Sequence, residues 1–323
     1  MRAIQATQAG GPEVLREADL PVPTPGPGQI LIRQQAVGLN FIDTYQRSGL
    51  YPMTYPAVLG QEGAGVVEAV GEGVTRFAVG DLAGYGLGGL GGYADYKAIK
   101  AERAVKLPSG IDATTAAASL LKGMTAEFLI RRCAPVKAGD AVLIHAAAGG
   151  VGQILGQWAR AIGCLTIGTV GSPDKVQLAR DTGCDHVILY REEDVAARVR
   201  EITGGAGVRA VYDGVGAATL DGSLASLGRR GSLVIFGNAS GPAPAVDPLR
   251  LMRGGSLFLT RPGLADYVAT SEELEDSAGA LFALMAAGKI KVTVGATFPL
   301  SEARAAHEAL EARATTGSTL LIP

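Results

Sequence analysis

The chain has 323 residues, 47% of them hydrophobic and 19% charged, and a formal net charge of −2. That length suggests two domains; the balance excludes a disordered chain and gives no electrostatic case for a nucleic-acid partner. No apolar stretch reaches the roughly 18–20 residues of a membrane helix, and Met1-Arg2-Ala3-Ile4-Gln5 lacks the apolar core of a secretion signal, so no membrane association and a cytoplasmic location are expected.

From the N-terminus the pattern is of short strands broken by turns. Gly10-Gly11-Pro12 is a turn, and Pro21 to Gly28, with four prolines and two glycines, is an irregular connector. Gln29 to Val37 reads as a strand. Val58 to Val70 is extended and interrupted by Gly60, Gly63 and Gly65, with turns at Gly71-Glu72-Gly73 and Val79-Gly80-Asp81. Gly84 to Gly92 holds six glycines and reads as a flexible loop. The sum is a compact, barrel-like, mainly β unit.

Two clusters in this part could carry chemistry. Asn40-Phe41-Ile42-Asp43-Thr44-Tyr45 continues to Tyr51 and gathers two tyrosines, an amide and a carboxylate. A tyrosine hydroxyl can donate to a developing oxyanion and Asn40 can orient a carbonyl or carboxamide; equally, the run can be a polar helix cap and surface segment. In Gly60-Gln61-Glu62-Gly63 the carboxylate is either catalytic or the partner of an arginine.

Further on, a helical pattern starts at Leu121-Lys122-Gly123-Met124-Thr125 and runs to Arg132. Ala141 to Ala146 is an apolar run of strand length. In Ala147-Ala148-Gly149-Gly150-Val151-Gly152, small residues occupy the three special positions of a G-x-G-x-x-G turn, with alanine first. A helix follows, its apolar residues spaced from Val151 to Ile162 and closed by Gly163. Such a turn lets backbone approach a pyrophosphate and sets the phosphates on a helix N-terminus. Leu165 to Val170 is the next strand. After it stands Gly171-Ser172-Pro173-Asp174-Lys175, where an NAD site usually has an acid. Small and basic residues accept a 2′-phosphate there instead. Ser172-Pro173 reads as a helix cap, Asp174 as a first-turn acid or a displaced ribose acid, and Lys175 as a phosphate partner or a solvated charge.

Strands at His186–Tyr190, Val208–Asp213, Gly231–Phe236 and Ser256–Thr260 alternate with helices at Glu192–Thr203 and after Gly216. This alternation predicts a doubly wound parallel sheet, with ligands beyond the carboxyl ends of its strands, where Gly171, Tyr190, Gly214, Gly237 and Asn238 fall. Ser271–Ala287 and Ser301–Ala314 read as helices, and Ser318–Ile322 as a last strand. Cys133, Cys164 and Cys184 lie far apart without C-x-x-C spacing, so neither a zinc ribbon nor a disulfide framework is indicated. His145, His186 and His307 are isolated and read as packed or hydrogen-bonded rather than ligating.

Gly60 to Val67, Val70 to Val74 and Val79-Gly80-Asp81 resemble the medium-chain dehydrogenase/reductase superfamily. A ligand histidine of its zinc alcohol dehydrogenases is replaced by Gln61, and their lobe of four closely spaced cysteines is missing, so no metal is expected. Asn40 to Tyr51, Ala146 to Gly152, Val187 to Asp194, Phe236-Gly237-Asn238, Thr260-Arg261-Pro262 and Arg313 to Pro323 narrow the likeness to the zinc-independent NADPH:quinone oxidoreductases, the ζ-crystallin-like branch.

The resemblance implies an α/β fold: a Rossmann NADPH-binding domain over 123–263 and a GroES-like, mainly β catalytic domain over 1–122 and 264–323. It implies NADPH-dependent quinone reduction without metal, electrons passing directly from nicotinamide to acceptor in the interdomain cleft. Asn40, Asp43 and Tyr45 would be catalytic, and Tyr45, Tyr51, Gln61 and Arg261 would meet the substrate. Asn40, Thr125, Gly149, Gly150, Val151, Gly152, Gly171, Ser172, Lys175, Tyr190, Gly214, Phe236, Gly237, Asn238 and Arg313 would meet the cofactor, with Ser172, Lys175 and Tyr190 around the 2′-phosphate. Arg313 is otherwise a favourable charge at a helix C-terminus. The acceptor would be a quinone or another planar electrophile, and the assembly a homodimer joined through 256–260. The competing readings are an enoyl-thioester or alkenal double-bond reductase and a non-catalytic nucleotide- or RNA-binding crystallin-like protein.

Overall fold

The apolar runs of the second half form one sheet whose central strands are buried on both faces, which suits parallel strands joined by helices. The computed structural model describes residues 1–323. Its six-stranded parallel sheet has the order His186–Leu189, Leu165–Val170, Ala141–Ile144, Val208–Asp213, Leu227–Ile235, Phe258–Thr260. The chain builds outward one way from Ala141–Ile144, then returns beside it and builds outward the other way. With right-handed crossovers, that reversal puts helices on opposite faces. It also makes the carboxyl ends of Ala141–Ile144 and Val208–Asp213 the switch point where such folds bind ligands. Leu143, Ile167, Ile188, Val211 and Leu233 form the core.

This sheet belongs to a unit of Thr125–Tyr267 and Ala287–Lys291. The short second segment is held by Gln157, whose amide donates to Lys291 O at 3.0 Å and accepts from Lys291 N at 2.8 Å. The helix Gly150–Ile162 ends on Gly163 in the left-handed conformation (φ 95°), as the sequence predicts.

The other unit comprises Met1–Met124, Val268–Ala286 and Val292–Pro323. It is mainly β. Its larger sheet runs Val294–Pro299, Ser318–Ile322, Gln29–Leu39, Glu62–Val70, Leu82–Gly86, Val105–Lys106, with Tyr96–Lys100 also on Gln29–Leu39. Ser318–Ile322 pairs antiparallel with Gln29–Leu39 through Thr319, Leu320 and Leu321. A second sheet holds Leu15–Asp19, Arg2–Ala6 and Ala57–Val58.

Several expectations are corrected. The start of the glycine run is no loop: Leu82–Gly86 is a buried strand. Its glycines answer the helix packed on them, since a Cβ on Gly84 would lie 2.6 Å from Leu120 Cδ1 and one on Gly86 2.8 Å from Leu121 N. That helix, Ala113–Phe128, begins eight residues before the expected Leu121 and ends in a π turn, Leu129–Cys133. The alanines and threonines of 113–119 hide its start, because they carry little apolar periodicity. The edge strand is Phe258–Thr260 rather than Ser256–Thr260, because Ser256 sits at φ 58° and cannot extend.

Candidate active site

In the first unit the chemistry gathers on one short helix. Asn40 follows the longest strand, Gln29–Leu39, and N-caps the helix Phe41–Ser48. Asp43, at the third helical position, accepts the Asn40 N–H on Oδ2 at 2.9 Å, as in a capping box. The opposing readings of this run therefore coexist: it is a helix cap, yet its polar groups are buried. Tyr45 is buried on the helix, and Tyr51, half-buried just beyond it, sets its ring 5.3 Å from that of Tyr45 at 65°.

Glu62 is wholly buried and saturated. Its carboxylate takes the Leu121 N–H at 2.7 Å, the Asn40 amide at 2.8 Å and the Lys122 ammonium at 2.8 Å. The arginine considered as partner for this carboxylate is thus a lysine, from the first residues of the helical run. Gln61 lies beside it, buried, at the start of the strand. No three His, Cys, Asp or Glu side chains converge as metal ligands. The donor set does not fit zinc: a neutral amide stands at 61, and the neighbouring carboxylate is neutralised by a lysine.

A second buried chain starts from Asp43. Tyr93 Oη donates to Asp43 Oδ2 at 3.1 Å, and His307 Nε2 lies 3.0 Å from Tyr93 Oη. Arg47 Nη1 lies 3.0 Å from His307 Nδ1, and its guanidinium makes paired bonds to Glu311 at 2.9 and 2.7 Å. A guanidinium only donates, so Nδ1 accepts and Nε2 carries the proton toward Tyr93. Burial, reinforced by Arg47, lowers the His307 pKa to about 3 and keeps the ring neutral.

Burial also raises Asp43 to about 7, against the hydrogen bonds from Asn40 and Tyr93 that favour the charge; Oδ1 has no partner. The native protein therefore holds a proton that the unfolded chain has released between pH 3.8 and 7, and stability from this group is lost as pH rises through that window. Asp43→Asn is expected to gain stability relative to wild type across that window, by about 1.36 kcal/mol for each pH unit climbed within it, in urea melts from pH 4 to 7. A pH-independent difference would contradict this assignment.

In the second unit the cofactor candidates fall at the carboxyl ends of the parallel strands. Gly149 precedes the helix Gly150–Ile162, and no side chain caps it, so the first-turn N–H groups lack intrahelical partners. A Cβ on Gly152 would run into Ala146 O and lie 2.8 Å from Ala147 Cα, so glycine is required for the helix to sit this close. Gly171 and Ser172 follow the next strand, and a Cβ on Gly171 would lie 2.6 Å from the hydroxyl of Tyr190, at the end of the strand after that. Gly214 faces the Phe236 ring at about 3.0 Å from where its Cβ would be. Oriented by its neighbours, the Asn238 amide donates to Gly237 O at 3.1 Å and accepts from Arg261 Nη2 at 3.2 Å.

Thr125 and Arg313 are carried by other elements. Thr125 is buried within the helix Ala113–Phe128 and at no strand end. Arg313 is in the first unit, just past the helix Ala303–Glu311, at φ 57°. Ser172 holds the cap position of the turn Pro173–Lys175 but makes no capping bond; its hydroxyl serves Asp174, which it holds below the usual carboxylate range. Asp174 is thereby a first-turn acid with a local partner.

One buried chain at the switch point escapes the sequence reading. Asp213 takes Val215 N–H and Gly216 N–H on Oδ1 and the Ser223 hydroxyl on Oδ2. Ser223 meets His145 Nε2 at 3.0 Å, and His145 Nδ1 meets Thr169 at 3.0 Å. Ser223 has spent its proton on Asp213, so His145 carries its own on Nε2. The chain locks three strand ends together. An acid closing a strand before Gly214-Val215-Gly216 is its one sequence signal.

Comparison with known proteins agrees with this layout. Residues 26–109 match the alcohol dehydrogenase GroES-like domain and residues 150–268 the zinc-binding dehydrogenase family. The chain is 49% identical to a quinone oxidoreductase of Pseudomonas aeruginosa over 323 residues, covering 100% of this chain and 99% of the relative. It is 44% identical to a 2-haloacrylate reductase of a Burkholderia species, covering 97% of this chain and 96% of that one. The crystal structure of the Escherichia coli quinone oxidoreductase complexed with NADPH superposes with a TM-score of 0.98 at 47% identity, over 100% of both chains. Two family models and about half identity over the full length agree, and the chain belongs to the quinone oxidoreductase family of the medium-chain dehydrogenase/reductase superfamily.

Proposed function

We propose that this chain is an NADPH:quinone reductase that works without a metal. The observation that carries the reading is the set of residues at the carboxyl ends of the parallel strands: a glycine turn, then Ser172 and Lys175 where an NAD site would place an acid. Its full-length likeness to quinone oxidoreductases, one of them crystallised with NADPH, supports the same conclusion.

Gly149, Gly150, Val151 and Gly152 would hold the pyrophosphate on backbone N–H groups. Ser172, Lys175 and Tyr190 would take the 2′-phosphate, and Arg313 a phosphate. Gly171, Gly214, Phe236, Gly237 and Asn238 would line the rest, with Thr125 and Asn40 toward the nicotinamide. Bound NADPH supplies the reducing equivalents. The chain's own part is to exclude water, hold a planar acceptor and offer hydrogen-bond donors to its oxygens. Tyr45 and Tyr51 are the donors, with Gln61 and Arg261 as further acceptor contacts. Asp43, buried and engaged by Asn40 and Tyr93, acts by positioning this helix. In this reading 123–263 is the NADPH-binding domain, and 1–122 with 264–323 the catalytic domain.

The 2-haloacrylate reductase relative favours one second reading, reduction of an activated C=C bond with the same cofactor residues. We also propose a cytoplasmic homodimer. Phe258–Thr260 is an edge strand, Phe258 is 59% exposed, and Leu249 and Met252 are exposed on the helix leading into it; pairing with a second copy would cover that edge. No helix is long and apolar enough to cross a membrane. Turnover of NADPH with 1,4-benzoquinone is expected to be unchanged by a strong chelator; its loss would contradict the metal-free mechanism.

A further inference from the structure

A carboxamide has a donor end and an acceptor end, and the one a ligand meets depends on what holds the other. Asn40 Nδ2 donates to Glu62 Oε2 at 2.8 Å and to Gly38 O at 3.3 Å. A carboxylate and a backbone carbonyl only accept. The amide therefore cannot turn over, and both Nδ2 protons are spent. Any ligand that meets Asn40 meets Oδ1.

Glu62 is itself fixed. Its Oε1 takes the Leu121 N–H at 2.7 Å and its Oε2 the Lys122 ammonium at 2.8 Å. It fits because residue 38 is glycine: a Cβ there would run into Glu62 Oε2 and Ala117 O. Two elements thus converge to orient one side chain: the helix Ala113–Phe128, through Leu121 and Lys122, and the strand Glu62–Val70, through Glu62.

We propose that Glu62, buttressed by Lys122, is a positioning residue that fixes the polarity of Asn40, so that Asn40 is a pure acceptor for a donor on the nicotinamide nucleoside, a carboxamide N–H or a ribose hydroxyl. The proposal rests on the reading of Asn40 as a cofactor contact. One consequence is that Asn40 cannot stabilise a developing quinol oxygen; those donors come from Tyr45 and Tyr51.

The test is the double variant Glu62→Gln with Lys122→Met, which removes the buried charges together. The Leu121 N–H cannot turn, so it keeps the oxygen of the amide introduced at position 62. The NH2 end of that amide then faces Asn40 Nδ2, donor against donor, and Glu62 no longer holds the Asn40 side chain in place. Fluorescence titration is expected to show the NADPH Kd raised at least ~10-fold, with the thermal midpoint close to wild type and the benzoquinone KM unchanged. Asn40→Leu should raise the Kd by the same factor, and adding it to the double variant should change nothing more.

The acetylpyridine analogue of NADPH, which lacks the amide N–H, identifies the donor. If its binding is insensitive to the variants, the donor is the carboxamide; if it weakens equally, the donor is the ribose. A wild-type protein that failed to bind NADPH would sink the cofactor reading itself. An unaltered Kd in Asn40→Leu would remove Asn40 as a cofactor contact; a raised Kd there with an unaltered Kd in the folded double variant, or a raised quinone KM with normal NADPH binding, would overturn the role of Glu62.

Discussion

Lys122→Met is expected to destabilise the protein by about 3–5 kcal/mol, the cost of leaving one member of a buried ion pair without its partner. Glu62 is 0% exposed and Lys122 5%. The methionine keeps the length of the lysine stem, so little packing is lost; what is lost is the ammonium paired with Glu62. The remaining donors, Leu121 N–H and the Asn40 amide, are neutral. A loss of this size lowers Tm by roughly 2–4 °C for each kcal/mol in a domain of 150–250 residues. Adding Glu62→Gln is expected to recover most of it, because a neutral pair carries no buried charge. Urea denaturation of the two variants checks both statements. A single variant within about 1 kcal/mol of wild type would show that the pair is not maintained by mutual charge.

The second large effect concerns the cofactor. Lys175→Ala is expected to raise the KM for NADPH by about 10–100-fold, the equivalent of one charge-assisted hydrogen bond of roughly 1.5–3 kcal/mol, while the KM for NADH stays near its wild-type value. Lys175 closes the turn Pro173–Lys175, which follows directly from the strand Leu165–Val170. Asp174, the one acid of this turn, accepts from Ser172. A 2′-phosphate would compete for that hydroxyl, so Ser172→Ala should weaken NADPH by a smaller factor in the same direction. Steady-state kinetics with both cofactors decides the matter: equal effects on the two would remove Lys175 from phosphate recognition.

The nucleotide-binding half is legible in the sequence because its physics is local. Ala141–Ile144 is an uninterrupted apolar run and Val208–Asp213 an apolar run broken by the exposed Arg209 and closed by Asp213, as largely buried strands are, and each is followed by glycine or small residues that mark the turn. Gly152 and Gly163 sit where backbone crowding and a left-handed φ require them. The other half is less legible because its structure is set across long separations. Gly84 and Gly86 read as a loop, yet they are strand residues whose missing side chains make room for a helix much later in the chain.

The site divides in the same way. The candidates around the glycine turn follow from strand ends. The buried networks do not: Lys122 meets Glu62 across 60 residues, Tyr93 meets Asp43 across 50, and Arg47 meets His307 across 260. No spacing rule reaches that far. His307 reads as isolated, although it is the middle of a buried chain that runs from Asp43 through Tyr93 and Arg47 to Glu311. Glu62 is visible as a carboxylate in need of a cation, and only the fold supplies which one.

The proposed reaction is quinone reduction by NADPH. The measurement that tests it most directly is steady-state NADPH oxidation by the wild-type protein with 1,4-benzoquinone, a naphthoquinone, a 2-alkenal, 2-haloacrylate and crotonyl-CoA under one set of conditions. kcat/KM is expected to be highest for the two quinones, with NADH a poorer donor for each. Preference for the alkenal, the haloacrylate or the thioester would contradict it and assign the same cofactor site to double-bond reduction.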